Sequence, residues 1–141
     1  MNDSIKTQLD LFGHLVISPK GTSMLPFLKE NKNSVDIGLP KEPIKKYDIV
    51  LYKKDDLYIL HRVIKCEEGF FIICGDNSNV LEKIPKQDII GVVTEIISAN
   101  KKTMANNRFL RFRVMVWYTC GLKKAVMLFK RGLKHFGFGK R

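Results

Sequence analysis

Cysteine is scarce in this chain of 141 residues: only Cys66, Cys74 and Cys120 occur. Their number is odd and their spacing is neither metal-like nor redox-like, so no disulfide framework is expected, a reducing compartment suits the chain, and all three read as small apolar residues. Histidine is as scarce, which leaves His14, His61 and His135 as the candidates for a base near neutral pH. Acidic residues stop before position 101: residues 101–141 carry 12 Lys and Arg with no Asp or Glu, against 13 basic and 14 acidic residues in 1–100. The formal charge of +11 therefore belongs to the tail. Long apolar runs are lacking too. The longest uncharged run in the tail, Val114 to Leu122, has nine residues, well short of the roughly 20 that a membrane-spanning helix needs. The N-terminal "MNDSIKTQLDLFGHLVIS" lacks the basic start, apolar run and small-residue cleavage site of a secretory signal, so a cytoplasmic location is expected.

What is present is enough apolar material, 45% of residues, to bury one core. Ile5, Leu9 and Phe12 recur at helical spacing after Asp3 and Ser4, and Gly13 is placed to stop a short first helix. The period then changes. Leu15 to Ile17 reads as a short strand, followed from Val35 onward by "SVDIGL", "YDIVLY", "LYILHRVIKC", "FFIICG" and "IIGVVTEIIS", with turn signals such as Glu67-Glu68-Gly69 between them. No connection is long enough for a crossover helix, so the expected body is mainly β, mixed but mostly antiparallel, over residues 1–100.

The polar stretch 101–107 reads as a linker to a basic tail, 108–141. In that tail Leu122, Val126, Phe129, Leu133 and Phe136 recur at intervals of four and three, while Lys123, Lys124, Lys130, Arg131 and Lys134 take the other side. This predicts an amphipathic basic helix. Residues 108–136 suit peripheral contact with an anionic membrane, on the inner face for a cytoplasmic protein. The same stripe also suits packing against the β body or a partner. Specific nucleic-acid binding is not expected, because the apolar residues are too many and too regular for a phosphate-tracking arm.

"KGTSMLPFL", Lys20 to Leu28, holds Ser23 on a Gly-Thr-Ser bend before Pro26. Such a serine caps or turns a chain as readily as it attacks a carbonyl, and a nucleophile needs a base. His14 and His135 lie outside any site-like context, whereas His61 falls inside a strand that can hold its ring in place. The base in turn needs an orienting group, and "ICGDNSNVLE" offers both Asp76 and Glu82.

Four boxes in order, Gly21-Thr22-Ser23-Met24-Leu25-Pro26, Tyr47-Asp48-Ile49-Val50, His61-Arg62-Val63-Ile64 and Gly75-Asp76-Asn77, resemble the motifs of the type I signal peptidases and the SOS-repressor autoproteases. They span about residues 15–98. The histidine before Arg-Val-Ile resembles the endoplasmic-reticulum, archaeal and sporulation-type branch, where others carry lysine. The resemblance implies a signal-peptidase-like β body with Ser23 as nucleophile, His61 as base, Glu82 as orienter and Asp76 as a supporting residue. Thr22, Met24 and Pro26 would contribute to the oxyanion and substrate site. It implies no metal and no organic cofactor, and a peptide or protein as substrate. Three departures stand out. Gly21 replaces the usual oxyanion-holding serine, Tyr47 replaces the glycine before Asp48, and only 22 residues precede Ser23, so the membrane anchor of signal peptidases is not expected. The expected function is a serine endopeptidase acting on a precursor, leader or signal-like peptide through an acyl-enzyme. The alternative is a non-catalytic binding or regulatory module on the same fold, with the basic tail as its working part.

Overall fold

A computed structural model describes residues 4–40 and 43–135, apart from the side chains of Lys134 and His135. Asp3 and Phe136 lie outside the described residues. Two compact units, 1–107 and 108–141, make up the chain.

The first unit is an antiparallel β body with one short helix. Helix α1, Ser4–Phe12, buries Leu9 and ends where the Gly13 N–H donates to the Leu9 carbonyl at 2.8 Å. Gly13 has φ of +77°, a left-handed conformation that glycine reaches without a Cβ clash. Strands β1 (His14–Ile17), β2 (Asn33–Gly38), β3 (Ile49–Lys54), β4 (Leu57–Cys66), β5 (Phe70–Cys74), β6 (Leu81–Pro85), β7 (Ile89–Ser98) and β8 (Lys101–Met104) form one sheet. Its order is β1-β2-β7-β3-β4-β5-β6, with β8 also on β7, and every pairing is antiparallel.

Alternation along the strands decides which face packs. Val50 and Tyr52 of β3, Val63 of β4, Phe71 and Ile73 of β5 and Ile89 of β7 form one buried cluster. Glu82 on β6 pairs in register with Ile73. Lys54 of β3 reaches Glu82 at 3.0 Å, although β3 and β6 are three strand spacings apart, about 14 Å in a flat sheet. The sheet therefore curls over this face.

Two expectations change. Residues 101–107 do not serve as a linker throughout, because Lys101–Met104 forms β8, paired from Ser98↔Lys101 to Glu95↔Met104. Strand β3 pairs with β7 only as far as Val92, which leaves the later edge of β7 for a chain that turns back at Ala99 and Asn100. The tail, expected to carry one amphipathic helix, holds two: α2, Arg108–Thr119, and α3, Leu122–His135. They are separated at Cys120 and Gly121, where Gly121 has φ of +73°. Val114 and Trp117 of α2 are buried, and the Lys123 ammonium stands 4.4 Å from the centre of the Tyr118 ring. Leu128 and Phe129 of α3 are exposed. No described helix is long and apolar enough to cross a membrane.

Candidate active site

Ser23 lies on an irregular bend between β1 and β2, where backbone polar groups need partners from elsewhere in the chain. The loop after β5 supplies them. The Asn77 N–H donates to the Ser23 carbonyl at 2.8 Å, and the Asn77 side-chain amide donates to the Thr22 carbonyl at 3.1 Å. Within the bend, the Phe27 and Leu28 N–H groups close turns on the Met24 carbonyl, and the Gly21 N–H is held by Glu30. The Leu25-Pro26 peptide bond is cis. Met24 is buried beneath the bend, while Thr22, Ser23 and Pro26 face outward.

His61 reaches the same place from β4. Ser23 and His61 line one cleft of about 480 Å³, together with Ile17, Lys20, Tyr58 and Leu60. Gly75 shows how closely they meet. A Cβ at that position would stand 2.8 Å from the Ser23 carbonyl oxygen and 3.1 Å from His61 Nε2. Only a residue without a side chain lets the strand end pass between bend and imidazole. The Nε2 edge of His61 thus lies against Gly75, beside the Ser23 carbonyl.

The Nδ1 contact is Tyr52, whose hydroxyl lies 3.1 Å away with the two rings edge to face. In the β3–β4 register Val50 opposes His61 and Tyr52 opposes Ile59, so Tyr52 is a diagonal neighbour of His61 within aromatic reach. Burial, then the charge and hydrogen bond of Glu82, push the Tyr52 hydroxyl far above its usual range, so it stays protonated. Glu82 also accepts from Lys54 Nζ, and that bond followed by the Glu82 charge raises the Lys54 ammonium.

The two expected acids are therefore placed differently. Asp76 is fully buried, and its carboxylate oxygens receive Arg62 Nε and Nη2, both at 2.8 Å. Arg62 Nη1 donates to the Tyr47 carbonyl at 2.8 Å, and its guanidinium lies 5.2 Å from the Phe27 ring centre. Tyr47, standing where a glycine was expected, has φ of +77° and so keeps a glycine-like backbone. Asp76 thus ties the loop after β5 to Arg62 of β4, which in turn holds the turn before β3, while Glu82 is bonded to Lys54 of β3.

No family model matches the chain, and no curated protein does. His14 pairs with Asp36 at 3.2 Å and is exposed on β1, away from the cleft lining. The three cysteines form no disulfide. Among the described residues no group of three His, Cys, Asp or Glu could hold a metal ion. Sequence reasoning missed Tyr52, Asn77 as a double clamp, and Tyr58, whose hydroxyl is buried in the cleft wall without a hydrogen-bond partner among the described residues. Nothing in the linear spacing marks Tyr52, since its link to His61 exists only in the strand register.

Proposed function

We propose that the protein is a serine endopeptidase of the signal-peptidase-like kind, cleaving a precursor, leader or signal-like peptide. The observation that carries the reading is that Ser23 and His61 line one cleft, with the Ser23 carbonyl and His61 Nε2 both close against Gly75. His61 Nε2 takes the Ser23 hydroxyl proton as that oxygen attacks the scissile carbonyl. It then returns the proton to the leaving amine, which leaves an acyl-enzyme for water to hydrolyse. The Ser23 N–H and the Thr22 hydroxyl are the donors nearest in sequence for the oxyanion. An extended peptide suits the cleft, with its chain along the strand edges and alternate side chains in the apolar wall around Met24 and Leu28.

The cysteines without disulfides suit a reducing compartment. The basic, amphipathic α3 with Phe129 exposed suits an anionic membrane surface, so we assign the protein to the cytoplasm with peripheral contact at the inner membrane face. The decisive experiment is a mass-spectrometric cleavage profile of a diverse peptide library with wild type, Ser23→Ala and His61→Ala, each checked for native folding. Cleavage by wild type that both variants lose supports the mechanism. Cleavage that survives either substitution overturns it, and no cleavage by any of the three, with anionic vesicles present, favours the non-catalytic module.

A further inference from the structure

Ile5 and Leu9 stand four residues apart on one face of helix α1, yet they meet different surroundings. Leu9 is buried, and its Cδ1 would stand 3.4 Å from a Cβ at Gly91, so it anchors the helix on β7. Ile5, one turn earlier, is half-buried and lines the cleft that holds Ser23 and His61. The rest of that cleft is largely aliphatic, with Ile17 of β1, Met24 and Leu28 of the bend, Leu51 of β3 and Leu60 of β4. Its charged residues, Lys20 and Glu30, are exposed and of opposite sign, and one Glu30 oxygen already accepts from the Gly21 N–H. The Ser18 hydroxyl is paired with that of Ser34 at 3.1 Å, and the Tyr58 hydroxyl is enclosed in the wall. A charged side chain entering here would lose water without gaining a partner, whereas an aliphatic one is buried at a gain. Size points the same way. The cleft measures about 480 Å³, and a cavity of about 150 Å³ already admits a benzene ring. A lone methyl group would leave most of the apolar wall without contacts.

We propose that Ile5 completes an apolar subsite beside Ser23 and His61, and that this subsite selects peptides carrying a bulky aliphatic side chain, of leucine, isoleucine or methionine size, close to the scissile bond. The inference deepens the peptidase reading and rests on it for the use of the cleft. Helix α1 is then a specificity element: Leu9 fixes it to the sheet, and Ile5 sets how large a side chain the cleft accepts.

The test reads peptide binding without turnover. Immobilised Ser23→Ala protein is offered pools of peptides in which one position at a time is fixed as alanine, leucine, phenylalanine, aspartate or lysine, and mass spectrometry quantifies what is retained. Leucine should be favoured over alanine at one position by roughly ten- to two-hundredfold, the discrimination that an apolar pocket reaches on side-chain size. In the same background Ile5→Trp narrows the subsite and should move the preference at that position toward alanine. Ile5→Ala widens it and should move the preference toward phenylalanine. Leu11→Ser, at an exposed position of the same helix, should move neither. A preference for alanine or a charged residue at every position, retention of no peptide, or a preference that ignores the Ile5 substitutions overturns the proposal. An equal shift in Leu11→Ser would trace the effect to a loosened helix and overturn it as well. If Ile5→Trp does not fold, Ile5→Ala carries the same readout. Failure of the two readings is separable. A size preference that follows Ile5, in a protein that cleaves nothing when Ser23 is present, leaves the subsite standing without the peptidase. Cleavage with a preference indifferent to Ile5 leaves the peptidase standing without the subsite.

Discussion

Glycine at position 75 holds the candidate site open by having no side chain. The alanine methyl would fall 2.8 Å from a backbone oxygen, the Ser23 carbonyl, which cannot swing aside as a side-chain end can. Gly75→Ala should therefore displace the bend or the imidazole by a large fraction of an ångström while leaving the strands paired. Misplacement of about 1 Å costs on the order of a hundredfold in rate. The expected result is a kcat lowered by roughly that factor, with an unchanged far-ultraviolet circular dichroism spectrum. Wild-type turnover in Gly75→Ala would show that the bend and His61 need not meet there. At this scale the sequence was informative about residue identity and silent about partnership. Ser23, His61 and Gly75 stand in recognisable boxes, whereas Tyr52 sits in "IVLYKK" looking like any strand aromatic. Its contact with His61 arises from an antiparallel register that no local pattern states.

Among the elements, β4 and β7 match the segments read from alternation residue for residue, because each is long, β-branched and bounded by turn residues. The shorter β6 and β8 escaped. "LEKIP" contains two charges and a proline, tolerable because β6 is an edge strand, and "KKTM" has no apolar alternation of its own. Both owe their extended form to the edge they complete. The same elements explain the two acids: Asp76, just beyond β5, is held by Arg62 of β4, so it joins strands. Breaking a buried ion pair on one side leaves an uncompensated charge and costs about 3–5 kcal/mol, whereas replacing both partners by apolar residues costs far less. Asp76→Ala should lose stability of that order in urea titration, and Arg62→Met with Asp76→Leu should recover much of it. Recovery of neither stability nor activity in the double variant would point to a more direct part for Asp76.

For the molecule as a whole, the charge division between body and tail is the dominant feature. Helix α3 brings exposed Leu128 and Phe129 together with a lysine-rich face. On an anionic lipid surface its apolar residues would have something to bury against and its cations would be drawn to the headgroups. Binding to vesicles with anionic headgroups is expected and should weaken with salt. Replacing Phe129 and Leu133 by serine should reduce it by roughly a hundredfold, from the area each side chain would have buried. Unchanged vesicle binding in that variant, or steep salt-dependent binding to DNA or RNA instead, would exclude the apolar stripe as the contact. The tail's division into two helices at Gly121 was not legible, because the apolar period resumes on the far side of the break.

The Asn77 clamp has a consequence for the order in which the candidate site forms during synthesis. The Ser23 bend leaves the ribosome 55 positions before the side chain that ties down the Thr22 carbonyl, and also before the glycine gap and the imidazole. A growing or truncated chain that ends short of β5 carries a serine on an untethered loop, with no peptide-cleaving geometry around it. The candidate site is thus assembled late in the chain, when the loop after β5 closes over the bend.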